Sequence, residues 1–190
     1  MNFSAVILAG GKSSRMGRDK AFLKTGGQTL LARQIQLAHG LGAAEIFISG
    51  RADADYSTFD CPILKDKFQN AGPLAGIESA LDSILTPLLL VLAVDLPEMT
   101  TEFLRRLSAG CSETCGAIPK LAGHVEPLAA FYPKATQSLA AASLERKSFA
   151  VKDFAEQCVQ SGLARFVDLP SSETKCFANW NSPADLPCTT

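Results

Sequence analysis

The stretch Leu88 to Pro97, LLLVLAVDLP, runs through seven apolar residues before its first polar one, Asp95. A strand with one wet face alternates apolar and polar side chains, whereas a continuous apolar run bounded by turn residues reads as a strand covered on both faces. Covering both faces takes helices above and below the sheet. The run therefore predicts an α/β domain with a mainly parallel sheet. Asp95 then stands at the C-terminal end of the most buried strand, at the edge where open α/β sheets hold their ligands.

Outward from that strand, the pattern alternates. Phe3 to Leu8 is an apolar, partly β-branched run stopped by Gly10 and Gly11, which predicts a first strand. Leu31, Ile35, Ala38 and Leu41 share a helical face that ends at Gly40 and Gly42. Glu45 to Ser49 reads as a second strand and Pro62 to Leu64 as a short third. Leu74, Ile77, Leu81, Ile84 and Leu85 form another helical stripe, with Pro73 at its start. The second half is less regular: short strands at Gly116–Ile118 and Pro127–Phe131, helices near Ala135–Leu144 and Val151–Ser161, and a further strand at Ala164–Leu169. The polar tail from Ser171 is expected to wrap the surface. With no internal repeat and no linker-like stretch, residues 1–190 read as a single domain.

Composition narrows the function. A 47% apolar chain with net charge −1 gives no reason to expect a nucleic-acid partner. No segment reaches the roughly 20 apolar residues of a membrane span. The short N-terminal apolar run ends in glycines and charges, so it is not expected to be a signal peptide. Six cysteines occur without a Cys-x-x-Cys pair, and His39 and His124 are not at metal-ligand spacing from them, which predicts reduced thiols and a cytoplasmic location.

Charge is unevenly placed. Five cations, Lys12, Arg15, Arg18, Lys20 and Lys24, fall in the first 25 residues against one acid, Asp19. Four of them lie within AVILAGGKSSRMGRDKA, Ala5 to Ala21, and Lys24 lies just beyond it. A Walker A loop is excluded because Val6 stands where its first glycine belongs, and Gly-x-Gly-x-x-Gly is absent. What remains is a glycine-, serine- and cation-rich loop after the first strand. Glycines let successive backbone amides approach phosphate, and Arg15 and Lys20 add charge from the side. Asp95 is either a turn-capping carboxylate or, opposite such a loop, a Mg²⁺ ligand; Mg²⁺ takes one or two carboxylates and completes its shell with substrate phosphates.

With LAGGKSSRMGRDKA at Leu8–Ala21, GPLAGI at Gly72–Ile77, VDLP at Val94–Pro97 and NWNSPADL at Asn179–Leu186, the chain resembles the MobA family, the molybdenum cofactor guanylyltransferases. The resemblance spans nearly the whole chain, and its first motif is highly specific. It implies a Rossmann-like nucleotidyltransferase fold with a mostly parallel mixed sheet flanked by helices. It implies transfer of GMP from GTP to the molybdopterin cofactor with release of pyrophosphate. Carried over residue by residue, Leu8, Ala9, Gly10 and Gly11 would line the nucleotide, Lys20 would bind its phosphates beside Arg15, Asp66 would be a second acidic nucleotide contact, and Asp95 would hold Mg²⁺. Transient contact with cofactor-synthesis or acceptor proteins is also implied.

The family has Asn-x-Asn-Arg after the second strand, where this chain has Ile48-Ser49-Gly50-Arg51, so Gly50 lacks the side chain that would contact the base or ribose. Asn179 and Asn181 either cap a turn before Pro183 or close over the substrate. Trp180 either packs or stacks on a pterin ring. The stretch Gly123–Tyr132 is either an ordinary strand with its preceding loop or a flank of the pterin. A molybdopterin cytidylyltransferase, a sugar-1-phosphate nucleotidyltransferase and a non-catalytic nucleotide-binding module on the same fold are the competing readings.

Overall fold

A computed structural model describes residues 1–10 and 19–180. The chain begins with β1 (Phe3–Leu8), and a 3-10 turn at Lys20–Phe22 leads to a small hairpin, β2 (Lys24–Thr25) and β3 (Gln28–Thr29). There follow α1 (Leu30–Leu41), β4 (Ile46–Ser49), β5 (Ile63–Leu64), α2 (Pro73–Ser83), β6 (Leu88–Ala93) and α3 (Thr101–Ser108). The second half adds β7 (Gly116–Leu121), β8 (His124–Val125), β9 (Ala129–Pro133), α4 (Gln137–Glu145), α5 (Val151–Gln160) and β10 (Ala164–Leu169).

The main sheet has eight strands in the order β10-β7-β9-β6-β1-β4-β5, with β8 paired to β7. The pairs β1–β4, β1–β6, β4–β5 and β7–β10 are parallel. Only β8 and β9 run against their neighbours. The mostly parallel mixed sheet is the expected one. Because β9 is antiparallel to both β6 and β7, those two strands point the same way, and the C-terminal ends of β1, β4, β6 and β7 share one edge. The start of β9 joins that edge: the Ala93 amide donates to the Leu128 carbonyl at 2.8 Å.

Every residue of β1 and β6 is buried, and the two faces feed two separate cores. Ala5, Ile7, Leu88, Leu90 and Leu92 pack under α1 and α3, while Val6, Leu8, Leu89 and Val91 pack under α2, α4 and α5. Each buried Leu contributes about 1.5–3 kcal/mol relative to exposure, so the apolar run of β6 anchors both layers.

Several elements differ from the sequence reading: the strand expected at Gly116–Ile118 runs on to Leu121, and the short strands β2, β3 and β8 were not foreseen. The α2 stripe stops at Ser83: Ile84 is the extended cap residue, and Leu85 is 87% exposed. The strand expected at Pro127–Phe131 starts at Ala129 and continues to Pro133, because Tyr132 and Pro133 still pair with Leu89 and Leu88. Helix α3 was not foreseen, although Thr100 caps it through Oγ1 to the Phe103 amide at 3.1 Å. The tail does not simply wrap the surface. Cys176 and Phe177, at the end of a 3-10 segment at Ser171–Phe177, and Trp180 beyond it enter the core, with Phe177 edge-on to Phe103 at 5.3 Å.

Candidate functional site

The shared C-terminal edge gathers most of the expected site residues that lie among those described. Leu8 ends β1, and its carbonyl accepts from the Val94 amide at 3.1 Å, which locks the turn carrying Asp95 beside the first loop. Lys20 reaches back across this edge. Its Nζ lies 3.0 Å from Asp95 Oδ2, and both side chains are largely shielded, at 19% and 23% exposed. Lys20 is placed by its neighbour: Asp19 caps the 3-10 turn, accepting from the Ala21 amide on Oδ1 at 3.0 Å. From below, the Trp180 amide donates to the Asp95 carbonyl at 3.1 Å, so the C-terminal segment supports the same turn.

The amides of Ala9 and Gly10 both donate to the Ser49 carbonyl, at 2.8 and 3.1 Å. They are engaged with β4, whereas the carbonyls of Ala9 and Gly10 make no backbone hydrogen bond among the described residues. Ser49 also faces Asp66, with Oγ 3.5 Å from Oδ1. Burial pushes the Asp66 carboxyl above its ordinary value and nearby Glu78 adds to the rise, while the Ser49 hydroxyl opposes it. Gly76 explains why α2 can lie so close. A Cβ there would collide with the Ser49 hydroxyl, so only glycine lets the helix settle on β4.

Gly50 is not simply a missing contact. The Tyr56 ring occupies the space a side chain at 50 would need, and a Cβ at Gly50 would clash with the ring edge, 2.3 Å from Cε2 and 2.6 Å from Cζ. Tyr56 is buried, accepts from the Arg51 amide at 3.1 Å, and donates to Asp19 Oδ2 at 3.2 Å. Sequence reading missed both Asp19 and Tyr56. An acid directly before Lys20, at the head of a short turn, was the available signal for the first; the contact between residues 19 and 56 had none.

Asn179 is exposed, and Trp180 is a core residue rather than a ligand-stacking one. Gly11, Arg15 and Asn181 lie outside the described residues. The segment Gly123–Tyr132 combines the β7–β8 hairpin with the entry to β9, beside the edge that carries Asp95. Within it Glu126 is half-buried, and burial pushes its carboxyl up. The five described cysteines are all free thiols. No helix among the described residues is long and apolar enough to cross a membrane.

Residues 5–160 match the family model of the MobA-like NTP transferase domain. A probable molybdenum cofactor guanylyltransferase of Opitutus terrae is 37% identical over 96% of this chain and 92% of its own. A protein of the same description from Carboxydothermus hydrogenoformans is 31% identical over 97% of this chain and 93% of its own. Among solved structures, molybdopterin-guanine dinucleotide biosynthesis protein A of Archaeoglobus fulgidus superposes with TM-score 0.76 at 22% identity, covering 96% of this chain and 94% of that one. The 2-C-methyl-D-erythritol 4-phosphate cytidylyltransferase of Thermus thermophilus superposes with TM-score 0.72, also at 22% identity, covering 97% and 95%. At that identity both structures show a shared fold.

Proposed function

Because this chain belongs to the MobA-like NTP transferase family, we propose that its C-terminal sheet edge transfers GMP from GTP to the molybdopterin cofactor and releases pyrophosphate. The observation that carries the proposal is the Lys20–Asp95 pair, 3.0 Å apart where the loops after β1 and β6 meet. A cation and a carboxylate held together at this edge are the parts a triphosphate site needs, one for phosphate oxygens and one for the metal that accompanies them. The relatives in Opitutus terrae and Carboxydothermus hydrogenoformans support the choice of reaction by their descriptions.

The chemistry asks little covalent work of the protein. The terminal phosphate of the pterin attacks the α-phosphorus of GTP, the bond to the bridging oxygen breaks, and pyrophosphate leaves in line. The attacking group is already anionic, so no side chain has to remove a proton. Catalysis then rests on positioning and charge neutralisation. Lys20 turns from Asp95 to the triphosphate and offsets charge on the phosphate oxygens, with Arg15 of the same loop assisting. Asp95 would hold Mg²⁺, and its hard carboxylate oxygens suit that ion; when bound, Mg²⁺ supplies further neutralisation of the triphosphate. Leu8, Ala9, Gly10 and Gly11 line the base and ribose, and Asp66 closes the far side from β5. The pterin lies toward the β7–β8 hairpin and the start of β9, and Asn179 and Asn181 are the C-terminal residues assigned to it. Reduced thiols fit a cytoplasmic reaction.

The test is pyrophosphate release from GTP and Mg²⁺ with and without molybdopterin. Release that requires molybdopterin, with a guanine dinucleotide as co-product, is the expected result. Release that is indifferent to molybdopterin but appears with a sugar 1-phosphate would overturn this reading.

A further inference from the structure

We infer that Tyr56 is a positioning residue that ties the loop after β4 to the phosphate-binding lysine. The inference rests on the proposed role of Lys20 in holding the nucleotide phosphates. Its basis is a chain of contacts among six residues. The absence of a side chain at Gly50 admits the Tyr56 ring. The Tyr56 hydroxyl accepts from the Arg51 amide at 3.1 Å and donates to Asp19 Oδ2 at 3.2 Å. Asp19 uses its other oxygen to cap the turn that begins with Lys20. Lys20 in turn meets Asp95 at 3.0 Å.

Tyr56 is 1% exposed, so it touches no substrate itself. Phe22, in the same turn as Lys20, stacks on its ring at 5.7 Å and 11° between planes, and Phe59 tilts against Phe22 at 6.2 Å. The ring thus anchors the turn by packing, and the hydroxyl fixes the rotation of Asp19. A Lys on a short 3-10 turn that nothing anchored would sample many rotamers, and freezing a long side chain on ligand binding costs conformational entropy. Tyr56 meets part of that cost before a nucleotide arrives. The loop after β4, where the resembling family carries a base- or ribose-contacting Asn, is in this way mechanically joined to the phosphate end of the site through a buried hydroxyl.

Tyr56→Phe removes only the hydroxyl and keeps the ring against Gly50 and Phe22. The experiment is a double-mutant cycle on the full-length protein, comparing the native chain, Tyr56→Phe, Lys20→Ala and the double variant. Steady-state pyrophosphate release is measured for whichever nucleoside triphosphate the native chain prefers, and melting temperature is recorded for each. The expected result is a fall in kcat/KM of about fivefold to tenfold for Tyr56→Phe, the scale of one misplaced polar contact. In the Lys20→Ala background the same change should have no further effect. Equal losses in both backgrounds would show that Tyr56 acts only on stability and overturn the inference, as would an unchanged kcat/KM for Tyr56→Phe. A native preference for a triphosphate other than GTP would sink the guanylyl reading and leave the cycle fully readable, so the two failures are distinct.

Discussion

Lys20 and Asp95 are 75 residues apart in sequence, and their side chains meet at 3.0 Å where the loops after β1 and β6 converge. The pair is held from both sides, by the Asp19 cap on one and the Trp180 amide on the other. At the proposed site, such an ion pair would hold both charges in place before a ligand arrives. If triphosphate and metal take the two partners, the pair must open, and each member has a measurable function apart from the other.

Asp95→Asn preserves shape and removes the charge. Turnover should fall roughly a hundredfold or more, the scale for losing one fixed electrostatic contact to the reacting groups. Stability should change by only about 1 kcal/mol, since the pair is partly solvated. Lys20→Ala should raise KM for the triphosphate and slow transfer, whereas Lys24→Ala, at an exposed position in β2, should leave both nearly unchanged. Steady-state kinetics with a circular-dichroism check on folding decides; near-native turnover of Asp95→Asn at ordinary Mg²⁺ removes Asp95 from the metal site.

Placing Asn at 50, the residue type the resembling family carries there, should not improve this protein. The Tyr56 ring already fills that space, so Gly50→Asn must expel it. Overpacking of this kind costs about 1–3 kcal/mol. The melting temperature should drop and kcat/KM for GTP should fall with it. A variant as stable as the native chain with a higher kcat/KM would show that the ring yields easily and that the missing Asn contact limits the native site.

What the sequence made readable, and what it did not, divides along contact range. The run Leu88–Val94 announced a doubly covered strand because burial on two faces removes every polar position, and β6 is such a strand. Asp95 was found because it ends that run. The stripe through Leu85 failed because periodicity carries no stop signal: the helix ends where Ile84 turns extended and Thr86 bonds Ser4 at 2.9 Å. Helix α3 escaped because eight residues give barely two turns of pattern. Phe177 and Trp180 look like strays in a polar tail until Phe103 and the Asp95 turn are placed beneath them. Gly50 read as a loss because the residue that occupies its space, Tyr56, is six positions away and reveals its role only through Asp19.

Asp66 gives a pH signature. Its carboxyl is raised from the ordinary 3.8, first by burial. The folded protein then holds that proton more tightly than the unfolded chain does. The corresponding stability is present below pH 3.8 and lost as pH rises through the raised folded value. Asp66→Asn removes the titration. Its stability relative to the native chain should therefore grow as pH climbs above 3.8 and level off beyond the folded value, while GTP affinity falls through loss of the proposed contact. Urea unfolding of both proteins across pH 3 to 8 reads the difference. A gap that narrows as pH rises would mean that Asp66 is stabilised as an anion, against the burial argument.

The base should be guanine, and the first loop supplies the physical reason. The amides of Ala9 and Gly10 are donated to Ser49, so in the proposed site the carbonyls of this stretch would be the groups that read the base. Guanine offers two adjacent donors on its pairing edge, N1–H and the 2-amino group; cytosine offers one amino group beside acceptors, which would face these carbonyls unpaired. Leaving a buried polar group unsatisfied costs about 1–3 kcal/mol, or roughly fivefold to a hundredfold in discrimination. Gly10 would let the base edge come close, and among the described residues a Cβ there would touch only Gly50, at 3.7 Å, an ordinary contact. Gly10→Ala should accordingly fold like the native chain and lose selectivity rather than stability. The measurement is kcat/KM for GTP, ATP and CTP with molybdopterin as acceptor, for both proteins. GTP should lead in the native chain, and the lead should shrink in Gly10→Ala through a higher KM for GTP. A native preference for CTP would reassign the enzyme to cytidylyl transfer while leaving the roles of Lys20 and Asp95 as they stand. A Gly10→Ala protein with undiminished preference for GTP would move guanine recognition off this loop.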